Sequence, residues 1–396
     1  MRPHVRLAPR DPDELHRAAT PLELFLDLAF VVAVAQAASS LHHGLVDGHA
    51  GDALLGFPLV FFAIWWAWMN FAWFASAYDN DDALYRLAVF VQMTGVLVLA
   101  AGIPRAFDER DLEVITVGYV VMRLALVAQW LRAARSHRSG RQTALRYAAG
   151  VTAVQIGWLL RLLVPERWYV VTFLVLAVAE LAVPVWAETA GRTPWHPGHM
   201  VERYGLFTII VLGESVLAAT IAAQAALDAE SSFADLAAVV IGGLLLAFAM
   251  WWIYFDLPSE RLVERARREF EQRVAAPFAW GYGHYLVFGS VAAAGAGVAV
   301  AIDRAAGHVT LSDTQAGLAV TVPVAVFVLA VWVLHAPAKS PGPMRSIVPP
   351  VAVALVLASS ATPEPVLVAG LVLTALVVIG VVLRPRPAAA AERVRT

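Results

Sequence analysis

The chain has 396 residues, of which 60% are hydrophobic and only 15% are charged, and its mean hydropathy is +0.67. Soluble domains carry about a quarter of charged residues, so this composition excludes a soluble protein. A net charge of −2 gives no reason to expect nucleic acid as a partner. Since the chain has no cysteine, disulfides and thiolate-bound metals are excluded as well. The sequence predicts an all-α polytopic integral membrane protein whose main partner is the lipid bilayer.

Apolar runs of about 20 residues, each long enough to cross a hydrocarbon core about 30 Å thick, recur along the whole chain. Polar or Pro/Gly-rich breaks divide them into twelve predicted spans, and only SSATPEP separates the last two. The spans are 21–42, 53–77, 84–103, 113–132, 144–164, 167–187, 201–223, 233–255, 277–301, 317–336, 346–361 and 365–383. The predicted organisation is an N-terminal segment 1–20, a first transmembrane half 21–187, a linker 188–200, a second half 201–384 and a tail 385–396.

The distribution of basic residues predicts the orientation. The termini and the even-numbered loops hold 23 of the 29 lysines and arginines, among them the segments LRAARSHRSGRQTALR and SERLVERARREFEQR. The odd-numbered loops hold five, and Arg123 lies inside the fourth span. The positive-inside rule then places both termini in the cytoplasm and the protein in the plasma membrane. No small-residue cleavage site follows the first apolar run, so this run is expected to stay as an anchor.

The two halves share a pattern. Span one contains LELFLDLAFVVAV and span seven contains VERYGLFTIIVLGESV, so each half opens with an acid-bearing helix. Span two contains IWWAWMNFAWFASAYDNDD and span eight ends in MWWIYFDLPSE, so a Trp-Trp helix that runs into aspartate follows in each half. Two parallel six-helix repeats, as in many transporters, would explain this pattern. Ordinary interfacial chemistry of tryptophan and acidic helix ends would explain it too.

Six stretches resemble the bacterial low temperature requirement protein A (LtrA) family. They are PLELFLDLAFVVAVAQ, WWAWMNFAWFASAYDND, YVVMRLALVAQWLRAAR, HMVERYGLFTIIVLGESVLA, WWIYFD and GYGHYLVFGSVAAAGAGVA. They follow one another over residues 20 to 300, which is about three quarters of the chain. The resemblance implies an integral membrane protein linked by its name to growth in the cold. It implies no substrate.

Ionisable residues inside the spans are the strongest functional signal, because each costs about 2.5–3.5 kcal/mol on insertion and normally faces a partner. Glu23 and Asp27 lie on one face of span one, at positions i and i+4. Glu23 is interpreted either as a helix-start acid after Pro21 or as a functional carboxylate. Asp27, about 6 Å deeper, is interpreted as a buried carboxylate with a partner or a function.

Span seven places Arg203 and Glu214 on one helical face, about 16 Å apart along the axis. Glu214 should therefore lie near the bilayer midplane, where a carboxylate either pairs with a cation or takes up a proton. We expect it to be the main ion-coupling residue, with Gly213 and Ser215 allowing close approach of a neighbour. His196, His199 and Glu202 lie at the cytoplasmic entry to this helix, either as a metal site or as helix-start capping residues.

Three further residues complete the candidate ion-coupling set. Arg123 in span four and Glu180 in span six could form a structural ion pair with each other. Alternatively, Arg123 could face Glu214 or Asp27, or hold an anionic substrate. His284, in a Gly-rich stretch of span nine, is a candidate proton relay, although a structural histidine is the alternative.

Aromatic and polar residues near these groups form a second candidate set. They would line an aromatic substrate pocket, or else pack in the core and at the interfacial belt. The set comprises Trp65, Trp66, Asn70, Trp251, Trp252, Asp256 and Trp280.

Three hypotheses for function follow. The first is a secondary transporter for a small solute or ion, proton-linked, with a site formed by spans one, four, seven and nine. The second is a cation channel built from duplicated six-helix units, because Phe25-Leu26-Asp27 faintly resembles the F-S-D opening of the lysosomal-type potassium channel family. The third is a lipid-handling or cold-adaptation factor. No soluble-type catalytic motif is present, so an enzyme is not expected, nor is a cofactor or metal. Homo-oligomer formation stays open.

Overall fold

The computed structural model describes residues 6–11, 14, 17–228, 233–257, 263, 276–335, 342 and 346–382. These residues form twelve α-helices and one 3₁₀ turn, Glu166–Trp168, which confirms the all-helical prediction for this part of the chain. The helices are α1 (Pro21–Val46), α2 (Ala50–Tyr78), α3 (Ala83–Asp108), α4 (Glu113–Ser136), α5 (Arg141–Arg161), α6 (Tyr169–Glu188), α7 (Pro197–Asp228), α8 (Phe233–Phe255), α9 (Ala276–Ala305), α10 (Asp313–His335), α11 (Val348–Ser359) and α12 (Pro365–Val382). The predicted tail 385–396 and nearly all of the basic segment SERLVERARREFEQR lie outside the described residues.

Nine helices in the described ranges are long and apolar enough to cross a bilayer. Helix α11 is not one of them, because its 12 residues extend only about 18 Å against a hydrocarbon core of about 30 Å. A multi-pass membrane protein is therefore supported. A full count of twelve spans, the duplication and the cytoplasmic termini stay predictions.

Local sequence explains where the first helices begin. Thr20 caps α1, since its hydroxyl accepts the Glu23 N–H while the Glu23 carboxylate accepts the Thr20 N–H, and Pro21 occupies the first turn. Asp82 caps α3 by accepting the Tyr85 N–H at 2.8 Å. These caps satisfy N–H groups that a helix leaves without intrahelical acceptors.

Contacts divide the chain into two compact units. Unit 1 comprises residues 1–214 and 258–296, and therefore holds α1 to α6 with the first parts of α7 and α9. In it, α3 packs between α1 and α4, α5 packs between α4 and α6, and α2 packs against α1, α3 and α4. Helix α2 is largely enclosed, with 72% of its apolar window buried. It is thus the central helix of the polar sites described below.

Unit 2 comprises residues 215–257 and 297–396. In it, α8 packs against α10 and α12, and the short α11 packs against α10 and α12. The unit boundaries differ from the predicted halves 21–187 and 201–384.

Helices α3 and α4 cross with their backbones in close contact. A Cβ atom built on Gly118 would lie 2.5 Å from both the Gly95 carbonyl oxygen and the Leu99 nitrogen. A Cβ built on Gly95 would lie 2.7 Å from the Gly118 carbonyl oxygen. Small residues at such crossings let membrane helices approach and gain packing energy. Gly213, which was expected to admit a neighbour in the same way, has no described atom within 4 Å of a built Cβ.

Replacing Gly118 by alanine should therefore force α3 and α4 apart. We expect Gly118→Ala to lower the free energy of unfolding by about 1–3 kcal/mol, the usual cost of overpacking. Thermal unfolding of the purified protein in detergent measures this change. The matched variant Gly213→Ala should be neutral or slightly stabilising, because alanine favours a helix by about 1 kcal/mol over glycine. Equal losses in both variants would contradict the close crossing.

Candidate functional site

A buried ion pair joins α1 to α7 within unit 1. Both terminal nitrogens of Arg203 donate to the Asp27 carboxylate, each at 2.7 Å. The indole Nε1 of Trp68 on α2 donates to the same carboxylate at 2.8 Å. The side chains of Asp27 and Arg203 are fully buried. Two bonds from the guanidinium in the bidentate geometry and one from the indole N–H therefore hold Asp27 away from lipid.

A second pair lies one helical turn nearer the start of α1. The Nε2 atom of His199 lies 3.1 Å from the Glu23 carboxylate, and both side chains are fully buried. Glu23 also accepts the Thr20 N–H at 2.7 Å. Glu23 is thus a helix-start acid that is also buried and paired with His199, and its functional role stays a prediction. We call Glu23, Asp27, His199 and Arg203 the α1–α7 network.

A separate ion pair joins α4 to α6. Arg123 lies 3.1 Å from the Glu180 carboxylate, and both side chains are almost fully buried. Glu180 also accepts the indole N–H groups of Trp66 at 2.7 Å and Trp158 at 3.2 Å, while Arg123 donates to the Tyr119 hydroxyl. Of the arrangements expected for Arg123, the structure therefore shows the pair with Glu180.

The two ion pairs lie on opposite sides of α2. Trp66 binds Glu180 and Trp68 binds Asp27, and two positions on a helix are about 200° apart at 3.6 residues per turn. The transporter hypothesis predicts one site formed by spans one, four, seven and nine; in the structure, Asp27 of span one and Arg123 of span four belong to two separate ion pairs. The helical period predicts which face of its own helix each charged residue lies on. It does not predict which neighbouring helix that face contacts.

Three other predicted ion-coupling residues lie outside these pairs. Glu214 is half-buried, and no described residue lies within hydrogen-bond or ion-pair distance of its carboxylate. Glu202 is exposed and accepts the Ala19 N–H at 3.3 Å. His284 is fully buried, donates from Nδ1 to the Trp280 carbonyl at 2.8 Å, and packs with its ring centroid 4.7 Å from that of Tyr204. Their predicted roles in coupling stay predictions.

The predicted pocket-lining residues fall into two groups. In unit 1, Trp65 packs against Tyr282 and Tyr285, and Asn70 donates to the Trp66 carbonyl of its own helix at 2.8 Å. Trp280 packs on Tyr204 with ring centroids 4.7 Å apart. In unit 2, Trp251 and Trp252 are each almost half exposed. Trp252 and Asp256 line a small cavity between α8, α10 and α12.

The N-terminal segment covers the end of the α1–α7 network. Arg17 donates to the carbonyls of Ser76 and, at 2.6 Å, of Ala75, and the Arg10 N–H donates to the Ala77 carbonyl at 2.9 Å. His196 accepts the His199 N–H on Nδ1 and donates from Nε2 to the Glu14 carbonyl at 2.7 Å. Burial lowers the pKa of Arg17. The described residues of this segment, 6–11, 14 and 17–20, thus form a collar over the C-terminal end of α2.

Asp79 lies beside this collar and was not among the predicted site residues. Its side chain is buried, and it accepts the Asp81 N–H at 3.0 Å. Burial raises the pKa of Asp79 to about 6, the negative charge of Glu23 acts in the same direction, and Arg17 acts against it. The signal in the sequence was the run Asp79 to Asp82 directly after an apolar helix.

Comparison with known proteins identifies the family. A family model described as bacterial low temperature requirement A protein (LtrA) matches residues 18–382, which confirms the resemblance seen in the motifs. A curated relative, Uncharacterized protein RA0937 of Rhizobium meliloti (strain 1021), is 29% identical over 300 residues, covering 73% of this chain and 70% of the relative. No solved structure matches the chain. The name of the relative states no reaction, ligand or partner.

Breaking the Asp27–Arg203 pair should be costly, because it leaves a buried charge without a partner. We expect Asp27→Asn to lower the free energy of unfolding by about 3–5 kcal/mol, measured by unfolding in detergent. The double variant Asp27→Asn, Arg203→Gln should lose less than the sum of the two single variants, since neither charge is then left alone. Asp313→Asn breaks an exposed pair with Arg304 and should cost less than about 1 kcal/mol. Additive losses at positions 27 and 203 would contradict the pairing.

The raised pKa of Asp79 makes a signed prediction about pH. The folded protein holds this proton up to about pH 6, whereas an unfolded aspartate loses it near pH 4. Stability is therefore lost as the pH rises from about 4 through 6. Asp79→Asn removes this loss, so it should raise the free energy of unfolding by up to about 3 kcal/mol at pH 7.5 and leave it unchanged near pH 4. Glu113→Gln, at an exposed carboxylate, should show no such difference. A destabilised Asp79→Asn protein at pH 7.5 would refute the assignment.

Proposed function

We propose that this chain, which belongs to the bacterial low temperature requirement A protein (LtrA) family, is a proton-coupled secondary transporter of the plasma membrane. In this proposal both termini lie in the cytoplasm, as the lysine and arginine distribution predicts. The observation that carries the proposal is the α1–α7 network, in which two acids meet a histidine and an arginine, all fully buried. The substrate is a small solute or ion.

The chemistry of the Glu23–His199 pair supports proton coupling. Histidine is the side chain whose unperturbed pKa lies nearest neutrality; burial lowers the pKa of His199, and Glu23 beside it acts in the opposite direction. Arginine side chains do not release protons in proteins. The network therefore places one group that can exchange a proton, the His199 imidazole beside Glu23, one helical turn along α1 from the Asp27–Arg203 ion pair. Loss of the proton changes the electrostatic field at this ion pair.

The position of the network also supports a transport cycle. Alternating access requires contacts between helices that break and re-form around a site. Buried ion pairs suit this role, because their desolvation cost nearly offsets their attraction and they contribute little net stability. The pairs between α1 and α7 therefore can separate when a substrate or a proton supplies a replacement partner. Glu214, half-buried on the same helix α7, is the second proposed coupling residue.

Purified protein in liposomes tests the proposal. A pH-sensitive dye inside the vesicles reports proton movement while potassium, sodium, chloride, phosphate and individual amino acids are added outside. We expect one of these solutes to change the internal pH with the wild-type protein. Glu23→Gln and Glu214→Gln should each reduce this pH change at least tenfold, because an amide cannot exchange the proton.

Glu180→Gln is the matched control. Glu180 is as buried as Glu23 and also pairs with a cation, but its partner Arg123 cannot take part in proton exchange. The number of protons moved per solute should stay the same in this variant. A proton movement in Glu23→Gln and Glu214→Gln equal to that of the wild type would refute coupling. Single-channel conductance in a planar bilayer, altered by Asp27→Asn, would instead establish a channel.

A further inference from the structure

Arg161 is a further buried arginine, and it has no acidic partner among the described residues. Arg161, the last residue of α5, is only 7% exposed, yet no described carboxylate lies within ion-pair distance of it. One terminal nitrogen donates to the Tyr169 carbonyl at 2.9 Å, and Nε has no hydrogen-bond acceptor among the described residues. The guanidinium lies 4.4 Å from the Tyr169 ring centroid and 5.6 Å from that of Phe173. Aromatic faces partly stabilise such a cation, but its charge is not neutralised.

Arg161 borders a polar cavity in unit 1, between the α3–α4 loop and the α5–α6 loop. The space between its lining atoms, with its open mouth, is about 660 Å³. The acids that line this cavity are either paired with other arginines or exposed to solvent. Glu166 binds Arg110, Asp111 binds Arg105 at 2.8 Å, and Glu113 is exposed. Arg161 is therefore the buried cation of this cavity that an incoming anion can pair with.

Arg161 also borders an apolar cleft between α2, α4, α5 and α6. The cleft and the polar cavity share Arg161, Leu112 and Tyr169, so the two spaces meet at the guanidinium. The cleft has about 520 Å³ between its lining atoms and its open mouth, and its other lining residues are Leu59, Val60, Phe62, Ala63, Ile115, Thr116, Tyr119, Trp158 and Phe173.

Two of the polar side chains that line the cleft, Tyr119 and Trp158, already have hydrogen-bond partners. Tyr119 accepts from Arg123, and Trp158 donates to Glu180. These bonds turn the polar atoms of both side chains toward the Arg123–Glu180 pair. The cleft therefore presents ring surfaces and aliphatic side chains along its length, with one charge, Arg161, at its end.

We propose that this site binds an anionic membrane lipid, with the phosphate headgroup on Arg161 and one acyl chain in the cleft. An apolar pocket with a few placed polar groups is the usual form of a small-molecule site, and basic pockets between membrane helices bind lipid phosphates. A free phosphate ion would leave the cleft empty, and a neutral chain would leave Arg161 without an anion. The ligand that satisfies both parts carries a phosphate and a hydrocarbon chain.

Native mass spectrometry of the full-length protein in a neutral detergent tests this site. Dodecyl phosphate is the probe, dodecylphosphocholine carries the same chain with a balanced charge, and inorganic phosphate carries no chain. We expect dodecyl phosphate to bind at least tenfold more tightly than either of the other two. If dodecyl phosphate and dodecylphosphocholine bind equally tightly, Arg161 does not recognise the charge of the headgroup. If inorganic phosphate binds as tightly as dodecyl phosphate, the cleft does not bind the chain.

Two variants locate the binding. Arg161→Gln should weaken dodecyl phosphate at least tenfold, whereas Arg167→Gln, an exposed arginine near the same loop with the same change in net charge, should alter it less than twofold. Ala63→Phe fills the cleft without touching Arg161 and should also weaken dodecyl phosphate at least tenfold. If Arg161→Gln does not fold, Ala63→Phe decides the outcome. Wild-type affinity in a folded Arg161→Gln or Ala63→Phe protein overturns the proposal.

Discussion

The central constraint on this protein is that a charge inside a bilayer must find a partner within the protein, and α2 is the helix on which both arginine–carboxylate pairs are built. Trp66 and Trp68 combine a large apolar body with one N–H donor, so each can be buried and still bind a carboxylate. Because they point to opposite sides of α2, one orients Glu180 for Arg123 and the other orients Asp27 for Arg203. The enclosed helix thereby links α4 and α6 on one side to α1 and α7 on the other.

Much of the fold follows directly from the sequence, because membrane helices are constrained by length and hydropathy alone. The helices begin and end within a few residues of most predicted spans, and the buried positions of Asp27, Arg123 and Glu180 followed from the cost of charge in lipid. The partner of each of these charged residues did not follow from the sequence. A helical period fixes which residues share a face, but the rotation of α4 against α6 and α7 depends on packing such as the Gly95–Gly118 crossing. Of the alternatives that the sequence left open for Arg123, the structure shows the pair with Glu180, and Glu214 has no charged partner among the described residues.

The sequence predicts a cytoplasmic N-terminal segment at residues 1–20, and the described part of this segment forms the collar. Its sequence is polar and aperiodic, and such a pattern is typical of a loop. The position of this segment is determined by helix α2, because the last carbonyls of α2 need hydrogen-bond donors that the helix itself cannot provide. Arg17 supplies two of these bonds and brings positive charge to the negative end of the helix dipole. A requirement of that kind is visible only when both elements are in place.

The two polar sites differ in what their partners can do. Arginine side chains do not release protons in proteins, so in each arginine–carboxylate pair only the carboxylate can take up a proton. The α1–α7 network adds His199 beside Glu23, and His196 and the buried Asp79 lie next to the N-terminal collar. The Arg123–Glu180 pair adds only Tyr119 and Trp158, whose polar atoms it turns away from the apolar cleft. The pairing of a histidine with a carboxylate is therefore found on the side of α2 that faces α1 and α7, while the cleft on the opposite side places Arg161 next to apolar side chains.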